Sequence, residues 1–286
     1  MAILWLVSFP KSGNTWMRAF LANYFANGRQ PMSLAQLQKT GFSDAHGWPY
    51  EKLTGRPFHE LSEEEIGKLR PRVQETLARS RPDHILMKSH FPVFSTDGVP
   101  SINRAVTLGA IYIIRNPWDV AVSYADHYGE TIDQAIASLA QPTLSIAPSE
   151  QNIRQFLGGW SGHVKSWNNV EGIPLHIVRY EDMSARPRET FAKVIDFLNL
   201  PAERKRLDQA IKFSGFRELA RQEARNGFEE RSQKAERFFR KGKAGGWRDV
   251  LSDAQVQQII ADHGEVLEHF GYLAPDGTIL AGGKAA

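Results

Sequence analysis

The stretch of residues 3–21 reads ILWLVSFPKSGNTWMRAFL and carries the clearest indication of the fold class. Its first part, Ile3 to Phe9, is apolar and rich in β-branched and aromatic residues, which is typical of a buried β-strand. Its last part begins a helical stretch predicted from Thr15 to Ala26, and the turn between the two carries Lys11 and Gly13. A strand, a tight turn and a helix in direct succession indicate an α/β protein.

Three more apolar runs have the length and composition of buried strands, and helical stretches lie among them. The predicted strands are His84 to Lys88, Ala110 to Arg115 and Leu175 to Tyr180, and the predicted helices are Ser62 to Ser80, Trp118 to His127, Ile153 to Asn168 and Pro187 to Leu198. This order predicts the α/β class, as a single domain with a central parallel sheet and helices on both faces. Ligands of such sheets bind where the carboxyl ends of the strands meet the following turns.

The remaining segments divide into helices and loops. Charged helical sequence occupies residues 201–224, and a last amphipathic helix is predicted from Asp253 to Phe270. The segments interpreted as loops or as a frayed tail are Gly41 to His59, Gln141 to Pro148, Arg225 to Trp247 and Gly282 to Ala286. We expect mobility in the loops at 41–59 and 225–247.

Composition narrows the class of protein further. The 286 residues, 42% of them hydrophobic, can bury a substantial core and predict one domain spanning residues 1–286. Because the chain has no cysteine, disulfides and thiolate metal sites are excluded, and a cytoplasmic location is predicted. No apolar run has the length of a bilayer span, so no membrane partner is expected. The net charge of +3 suits an anionic small ligand as well as a nucleic acid.

The turn after the first predicted strand, Pro10 to Trp16, is a candidate anion site. Backbone N–H groups of such a turn converge at the helix N-terminus, where the helix dipole favours negative charge, and Lys11 adds a positive charge. The turn lacks the four-residue gap and second glycine of G-x-x-x-x-G-K-[ST], so it is P-loop-like but not the usual nucleoside-triphosphatase loop. The alternative is a helix capped by Ser12 or Asn14 beside a surface lysine.

Two further basic elements are candidate anion sites. Arg115 ends a predicted strand and Ser123 follows eight residues later, about two helical turns, so both face one ligand only if Arg115 reaches back. The alternative pairs Arg115 with Asp119 and leaves Ser123 on a solvated face. The stretch RKGKAGGW, residues 240–247, sets cationic side chains beside glycines whose N–H groups approach a phosphate closely. Taken alone, it is equally a flexible basic loop or a nucleic-acid patch.

These residues resemble the motifs of the sulfotransferases that use 3′-phosphoadenosine-5′-phosphosulfate (PAPS), of the cytosolic type and in particular a bacterial-like member. The matching motifs are the 5′-phosphosulfate loop (Phe9 to Trp16), the segment of the catalytic histidine (Met87 to Pro92), the 3′-phosphate motif (Tyr112 to Pro117, through Ser123), the adenine-side tyrosine element (Tyr180 to Met183) and the late Arg-Lys-Gly element (Arg240 to Gly242, then Gly246 and Trp247). The resemblance covers nearly the whole chain.

The resemblance implies how the donor PAPS and its product, 3′-phosphoadenosine-5′-phosphate (PAP), are held. Trp16 and Phe216 would sandwich the adenine, with Tyr180 hydrogen-bonding near it and Phe213 as the alternative to Phe216. The 5′-phosphosulfate would lie on Lys11, Ser12, Gly13, Asn14 and Thr15, and the 3′-phosphate on Arg115, Ser123, Arg240, Lys241 and the Gly242 N–H.

The sequence departs from the pattern of the cytosolic type in three places. Asn14 replaces a threonine or serine, and Gly246 stands where an aspartate is common. The short C-terminal segment that dimerises many animal members is not found, which leaves the oligomeric state open.

Sulfuryl transfer requires charge stabilisation and one proton transfer, because the group passes in line between two oxygens through a loose transition state. Lys11 is predicted to neutralise the leaving oxygen, with help from Lys88. His90 lies at a strand end and is the predicted general base, whereas a lone histidine is more often structural. Ser123 completes the predicted catalytic set. The other histidines considered are His46, His59, His127 and His163. They show no ligand spacing, so no metal is expected.

The predicted acceptor is a small molecule with a hydroxyl group, a phenol or a hydrophobic alcohol, while a sugar or a glycopeptide stays open. Phe91, Phe94, Tyr128 and the aromatic residues of 41–59 would line an apolar pocket beside His90, or else belong to the core.

Three rival functions are weighed against this interpretation. A small-molecule kinase needs a fuller Gly-rich loop and an acidic Mg²⁺ ligand after a strand. A nucleic-acid-binding protein rests only on the positive charge and the basic stretch Arg231 to Arg248, and no nucleic-acid partner is expected. A related enzyme would keep the nucleotide site but draw sulfate from an aryl sulfate.

Overall fold

The apolar runs of the sequence form the strands of a parallel sheet flanked by helices, which confirms the predicted α/β class. The computed structural model describes residues 1–201, 203–240 and 242–280. The strands are β1 (Ile3–Ser8), β2 (Phe42–Ser43), β3 (Ile85–Ser89), β4 (Ser95–Thr96), β5 (Val99–Pro100), β6 (Thr107–Ile114), β7 (Ser145–Ile146), β8 (Gln155–Phe156) and β9 (Leu175–Arg179). The five-stranded sheet has the order β2-β3-β1-β6-β9, and β4-β5 and β7-β8 form two-stranded sheets.

The α-helices begin and end at local signals that the sequence carries. They are α1 (Asn14–Ala26), α2 (Leu34–Gln38), α3 (Trp48–Thr54), α4 (Glu63–Ala78), α5 (Pro117–Tyr128), α6 (Ile132–Ala140), α7 (Trp160–Asn168), α8 (Tyr180–Ala185), α9 (Pro187–Phe197), α10 (Arg204–Phe213), α11 (Phe216–Asn226) and α12 (Asp253–His269). Short 3₁₀ helices span Phe58–Glu60, Arg104–Val106 and Gly246–Asp249. Ser62 and Ser252 close capping boxes at α4 and α12, and Gly129 ends α5 in the left-handed conformation.

The register of β1 and β3 brings the ends of two candidate elements together. The strands are parallel, with Ile3 opposite Ile85 and Val7 opposite Ser89. Ser8 and His90 therefore follow at the same edge of the sheet. This is the carboxyl edge, where parallel sheets bind their ligands.

Two compact units make up the chain, and each is described by itself. The first consists of Met1–Phe9, Gly41–Tyr112 and Gln141–Ile177, and the second of Pro10–Thr40, Ile113–Ala140 and the described residues from Val178 onward. Trp5 and Trp167 are fully buried in the first unit. In the second, the rings of Phe20 and Phe191 stack with their centroids 4.0 Å apart. The expected single domain of residues 1–286 stays a prediction.

Three predicted segments differ from the structure. The helix predicted over Ile153 to Asn168 begins only at Trp160, because Gly158 adopts a positive φ of 64° and Gln155–Phe156 pairs antiparallel with Ser145–Ile146. That pairing also places β7 inside the predicted loop Gln141 to Pro148. The predicted loop Gly41 to His59 contains β2 and α3, since Phe42 pairs with Met87 of β3. The predicted tail, Gly282 to Ala286, lies outside the described residues.

Candidate functional site

The turn between β1 and α1 has the backbone of an anion cradle. Gly13 is the N-cap of α1, with a φ of 104°, and no side chain caps the helix. The alternative of a helix capped by Ser12 or Asn14 is therefore wrong. Lys11 adopts a φ of 67°, in the left-handed region that non-glycine residues rarely occupy, so the turn holds backbone strain. The N-terminal end of α1 carries the positive end of the helix dipole, which favours an anion.

Two neighbours close the turn from one side. The Arg115 guanidinium donates to the Lys11 carbonyl at 3.0 Å and lies 4.2 Å from the centre of the Tyr180 ring. A Cβ on Gly13 would lie 2.7 Å from the Tyr180 ring, so only glycine fits there without a shift. Burial raises the pKa of the Tyr180 hydroxyl, opposed by the nearby Arg115 charge, so the phenol stays protonated.

A carboxylate occupies the N-terminal end of α1. Thr15 donates through Oγ1 to Glu230 Oε2 at 3.2 Å, and Arg18 forms an ion pair with the other oxygen of the same carboxylate. Glu230 belongs to the segment 225–247, which is predicted to be mobile. The contact places a carboxylate beside the first turns of α1, and sequence reasoning missed it because 215 residues separate Thr15 from Glu230.

Arg115 and Asp119 hold the late glycine-rich loop against α5. Arg115 donates to the Lys243 carbonyl at 3.4 Å, and Asp119 accepts from the Gly245 and Trp247 N–H groups at 2.7 and 3.1 Å. Arg115 also lies 3.8 Å from the Asp119 carboxylate, so part of the alternative ion pair is present. The same guanidinium thus contacts both the first turn and the late loop.

Arg240 and Ser123 lie on one side of α5. The Arg240 guanidinium is 3.5 Å from the Asp126 carboxylate, and Ser123 precedes Asp126 by one helical turn, on the same face. Ser123 is half-buried and Arg240 is exposed. Lys241, also predicted for the 3′-phosphate, lies outside the described residues.

The predicted adenine-binding aromatics share one region of the second unit. Trp16 and Phe216 pack against the same apolar cluster, which includes Ala19 and Leu219. The rings of Trp16 and Tyr180 meet edge to face with their centroids 5.6 Å apart. Trp16 and Phe216 are half-buried and Tyr180 is buried. Trp16 lies in the first turn of α1, directly after the anion turn.

Phe216 also lies against the late loop. Gly242 has a φ of 59°, and a Cβ there would lie 2.1 Å from the Phe216 ring. The ring therefore contacts the backbone whose N–H is predicted to bind the 3′-phosphate. Phe213 ends the preceding helix, α10.

His90 lies in the first unit, directly after β3. Its Nδ1 is 2.7 Å from the Ser8 carbonyl oxygen. Because that oxygen only accepts, neutral His90 carries its proton on Nδ1 and leaves Nε2 as the acceptor. Lys88 shares the half-buried side of the strand end with His90, since side chains two positions apart point the same way.

Comparison with known protein families identifies the family to which the chain belongs. Residues 3–271 match the model of the sulfotransferase domain family. The chain belongs to that family. It is a sulfotransferase, an enzyme that transfers sulfur-containing groups, and its likeness to cytosolic members is confirmed. The narrower likeness to a bacterial member stays a prediction.

Individual relatives of this sulfotransferase share about a quarter of its residues. Flavonol 3-sulfotransferase of Flaveria bidentis is 25% identical over 90% of this chain and 78% of the relative, and Sulfotransferase 1A1 of Rattus norvegicus is 24% identical over 92% and 84%. Among solved structures, a mouse sulfotransferase complexed with PAP has a TM-score of 0.60 at 19% identity, covering 93% of this chain and 84% of that one. That structure confirms the fold.

Buried polar groups join two motifs of the sulfotransferase. The Glu181 carboxylate accepts from the Asn116 N–H at 3.0 Å and from the Tyr272 hydroxyl at 2.8 Å. The Asn116 side chain donates in turn to Asp119 at 2.9 Å. Glu181, buried and paired, therefore fixes the turn that follows Arg115. Sequence reasoning missed its role, although it neighbours Tyr180.

The aromatics predicted to line the acceptor pocket differ in burial: Phe91 is buried, whereas Phe94 and Tyr128 are half-buried. Phe91 lies in the core of the first unit under the Arg70 guanidinium, 3.8 Å from its ring centre. Phe94 is half-buried against Phe156, with the ring centroids 5.8 Å apart. Tyr128, in the second unit, packs on Tyr124 at 4.3 Å. Their role toward an acceptor stays a prediction.

Residues 1–201, 203–240 and 242–280 contain neither a metal-binding cluster nor a membrane-spanning helix. Within these, the side chains of histidine, aspartate and glutamate form no cluster of three or more that suits a metal ion. No helix in the same ranges has the length and apolar character needed to cross a membrane.

Proposed function

We propose that this sulfotransferase takes its sulfuryl group from PAPS and transfers it to the hydroxyl of a small phenol or hydrophobic alcohol. One observation carries the donor assignment: Arg115 bonds to the carbonyls of both Lys11 and Lys243, so one guanidinium joins the first anion turn to the late basic loop. A donor with anionic groups at its 5′ and 3′ positions needs two such elements. The PAP bound in the mouse structure supports this choice.

Three buried polar atoms fit such a donor, because among the described residues they have no hydrogen-bond partner. They are Ser12 Oγ, Trp16 Nε1 and Arg115 Nε, and each can donate to an oxygen or nitrogen acceptor. A buried hydrogen-bond donor without a partner destabilises the protein by about 1–3 kcal/mol. A ligand that supplies an acceptor to each of the three atoms therefore binds more tightly. The 5′-phosphosulfate would be held by Lys11, Ser12, Gly13, Asn14 and Thr15, and the 3′-phosphate by Arg115, Ser123, Arg240, Lys241 and the Gly242 N–H.

The adenine would lie between Trp16 and Phe216, near the Tyr180 hydroxyl. The contact between Phe216 and the Gly242 backbone supports Phe216 over Phe213, because it links the base site to the proposed 3′-phosphate site. Flat aromatic faces suit a purine.

The proposed chemistry has two parts, one at the leaving oxygen and one at the acceptor hydroxyl. PAPS supplies an activated sulfuryl group, whose bond to the bridging oxygen breaks as the acceptor oxygen attacks. Lys11, in its strained turn, stabilises the charge that develops on the bridging oxygen, and Lys88 assists. His90 takes the acceptor proton on Nε2, and the Ser8 carbonyl stabilises the resulting imidazolium by accepting from Nδ1–H. No metal takes part in this scheme.

The acceptor class rests on the half-buried aromatics Phe94 and Phe156 of the first unit and on the name of one relative, a flavonol sulfotransferase.

The basic stretch Arg231 to Arg248 does not favour nucleic acid, since Arg231 donates to the Glu236 carbonyl and Arg240 pairs with Asp126. Location in the cytoplasm stays a prediction. Efficient transfer from an aryl sulfate in place of PAPS would contradict the donor assignment.

The donor proposal predicts a nucleotide-selective loss when Arg115 is removed. Arg115→Ala is expected to weaken PAP binding by about 1.5–3 kcal/mol, the range for a hydrogen bond to a charged group, and to affect adenosine-5′-phosphate much less. Arg240→Ala should act in the same direction but more weakly, because its side chain is more exposed. Isothermal titration with both nucleotides measures the difference, and Arg188→Ala, whose guanidinium pairs with Asp208 on the surface, is the matched control.

Equal losses for the two nucleotides would contradict the assignment of Arg115 to the 3′-phosphate. An unchanged affinity for both would show that Arg115 does not belong to the donor site.

A second prediction concerns the segment 225–247. Glu230 occupies the N-terminal end of α1 through Thr15 and Arg18, so an arriving 5′-phosphosulfate group must displace its carboxylate. We expect PAP to change amide hydrogen exchange across 225–247, with increased protection in the late loop. Exchange in α4, Glu63–Ala78, is the internal control and should not change. Identical exchange with and without PAP would show that the segment does not respond to the donor.

A further inference from the structure

One face of α7 holds the backbone that follows β3. His163 Nε2 lies 3.1 Å from the His90 carbonyl oxygen, and the Trp167 indole N–H donates to the Phe91 carbonyl at 2.9 Å. Positions 163 and 167 are one helical turn apart, so both rings leave α7 on the same side. Two adjacent carbonyls beyond the end of the strand are thus satisfied by two buried rings.

A third group on the same face of α7 completes this support. Ser166 Oγ accepts from the Val93 N–H at 3.0 Å. Within the segment itself, Ser89 Oγ accepts from the Phe91 N–H at 3.1 Å. The main chain from Ser89 to Val93 is therefore held at several points, although it has left the sheet.

The hydrogen-bond chain through His163 has one consistent direction. The His90 carbonyl only accepts, so Nε2 of His163 carries the proton and Nδ1 accepts from the Tyr112 hydroxyl at 2.8 Å. Burial lowers the pKa of His163 to about 4, and burial raises that of Tyr112 well above 10. Both groups are fully buried and stay neutral at working pH.

We propose that His163 is a positioning residue for sulfuryl transfer: by donating to the His90 carbonyl it fixes the main chain of His90, so that the ring keeps its bond to the Ser8 carbonyl and presents Nε2 as the base. This inference rests on the proposed role of His90. If it is correct, removing the hydrogen-bond donor at position 163 lowers kcat only when His90 is present.

The test compares His163→Leu, which cannot donate, with His163→Gln, whose side-chain amide can reach the same carbonyl. His163→Leu should lower kcat by about 10- to 100-fold, the cost of a misplaced catalytic group, with PAP affinity unchanged. His163→Gln should stay within about threefold of wild type, because the donor is kept. Both variants are then combined with His90→Ala. In that background His163→Leu should lower kcat by less than about twofold, because the ring that His163 positions is absent.

His263→Leu controls for the loss of a buried histidine. His263 is 3% exposed on α12, and burial lowers its pKa to about 4 as well. This variant should lower the melting temperature without lowering kcat. Where His163→Leu fails to fold, Tyr112→Phe makes the same test, because it removes the hydroxyl that donates to His163 Nδ1. Tyr112→Phe should lower kcat by about three- to tenfold, and should have no effect on kcat in the His90→Ala background.

The outcomes separate the two proposals. An equal loss from His163→Leu with and without His90, or no rescue by glutamine, would make His163 structural and overturn the positioning role alone. Full activity of His163→Leu beside an impaired His90→Ala would do the same. Full activity of His90→Ala would overturn the base assignment, and the positioning role with it.

Discussion

Replacing His90 with alanine is expected to slow the sulfuryl-transfer step by about 10²- to 10⁴-fold, the range for a positioned general base. PAP affinity should be unchanged, because a general base acts on the acceptor and His90 is not among the residues proposed to hold the donor. The reason lies in the tautomer: the Ser8 carbonyl holds the proton on Nδ1, so Nε2 is ready to accept one. Removing the ring removes this acceptor and leaves the turn around Lys11 intact.

The acidity of the acceptor decides whether His90 acts as a base. A phenol that ionises readily needs less help than an alkyl alcohol, so the His90→Ala defect should shrink as the phenol becomes more acidic. Single-turnover transfer from saturating PAPS to a graded series of substituted phenols measures this slope. His59→Ala, on an exposed stretch of the first unit, is the control and should match wild type. A defect that stays constant across the series would make His90 structural.

Much of the sheet was predictable because its strands are continuous apolar runs. Ile3–Ser8 and Leu175–Arg179 differ from their predicted bounds by one residue at one end, and Ser62, the first residue of the helix predicted to Ser80, is the N-cap of α4. The edge strand β2 was not predictable. It has two residues, Phe42 and Ser43, and exists only because they pair with β3, a contact that no local pattern reports.

The candidate site divides in the same way. Lys11, Arg115 and His90 were predicted because each lies in a short motif at a strand end. Glu230 and His163 were not, since their partners lie 215 and 73 residues away in the chain and neither belongs to a local motif. Residues in the turns at strand ends belong to short motifs, which a sequence pattern detects. The polar residues that hydrogen-bond to those turns are brought there by tertiary packing, and no local pattern reports them.

Lys11→Met should slow sulfuryl transfer by about 10²- to 10³-fold with every acceptor, because charge on the bridging oxygen develops whichever nucleophile attacks. The Lys11 ammonium lies 4.2 Å from the centre of the Phe238 ring, a cation–π contact. Methionine keeps the length of the side chain and meets the same left-handed backbone, which isolates the effect of charge. The same single-turnover series measures it, with Lys193→Met, an exposed lysine paired with Glu189, as the control. The Lys11→Met defect should show no slope against phenol acidity, in contrast to that of His90→Ala. A defect that shrank for acidic phenols would place Lys11 on the acceptor side of the reaction and contradict its role at the leaving group.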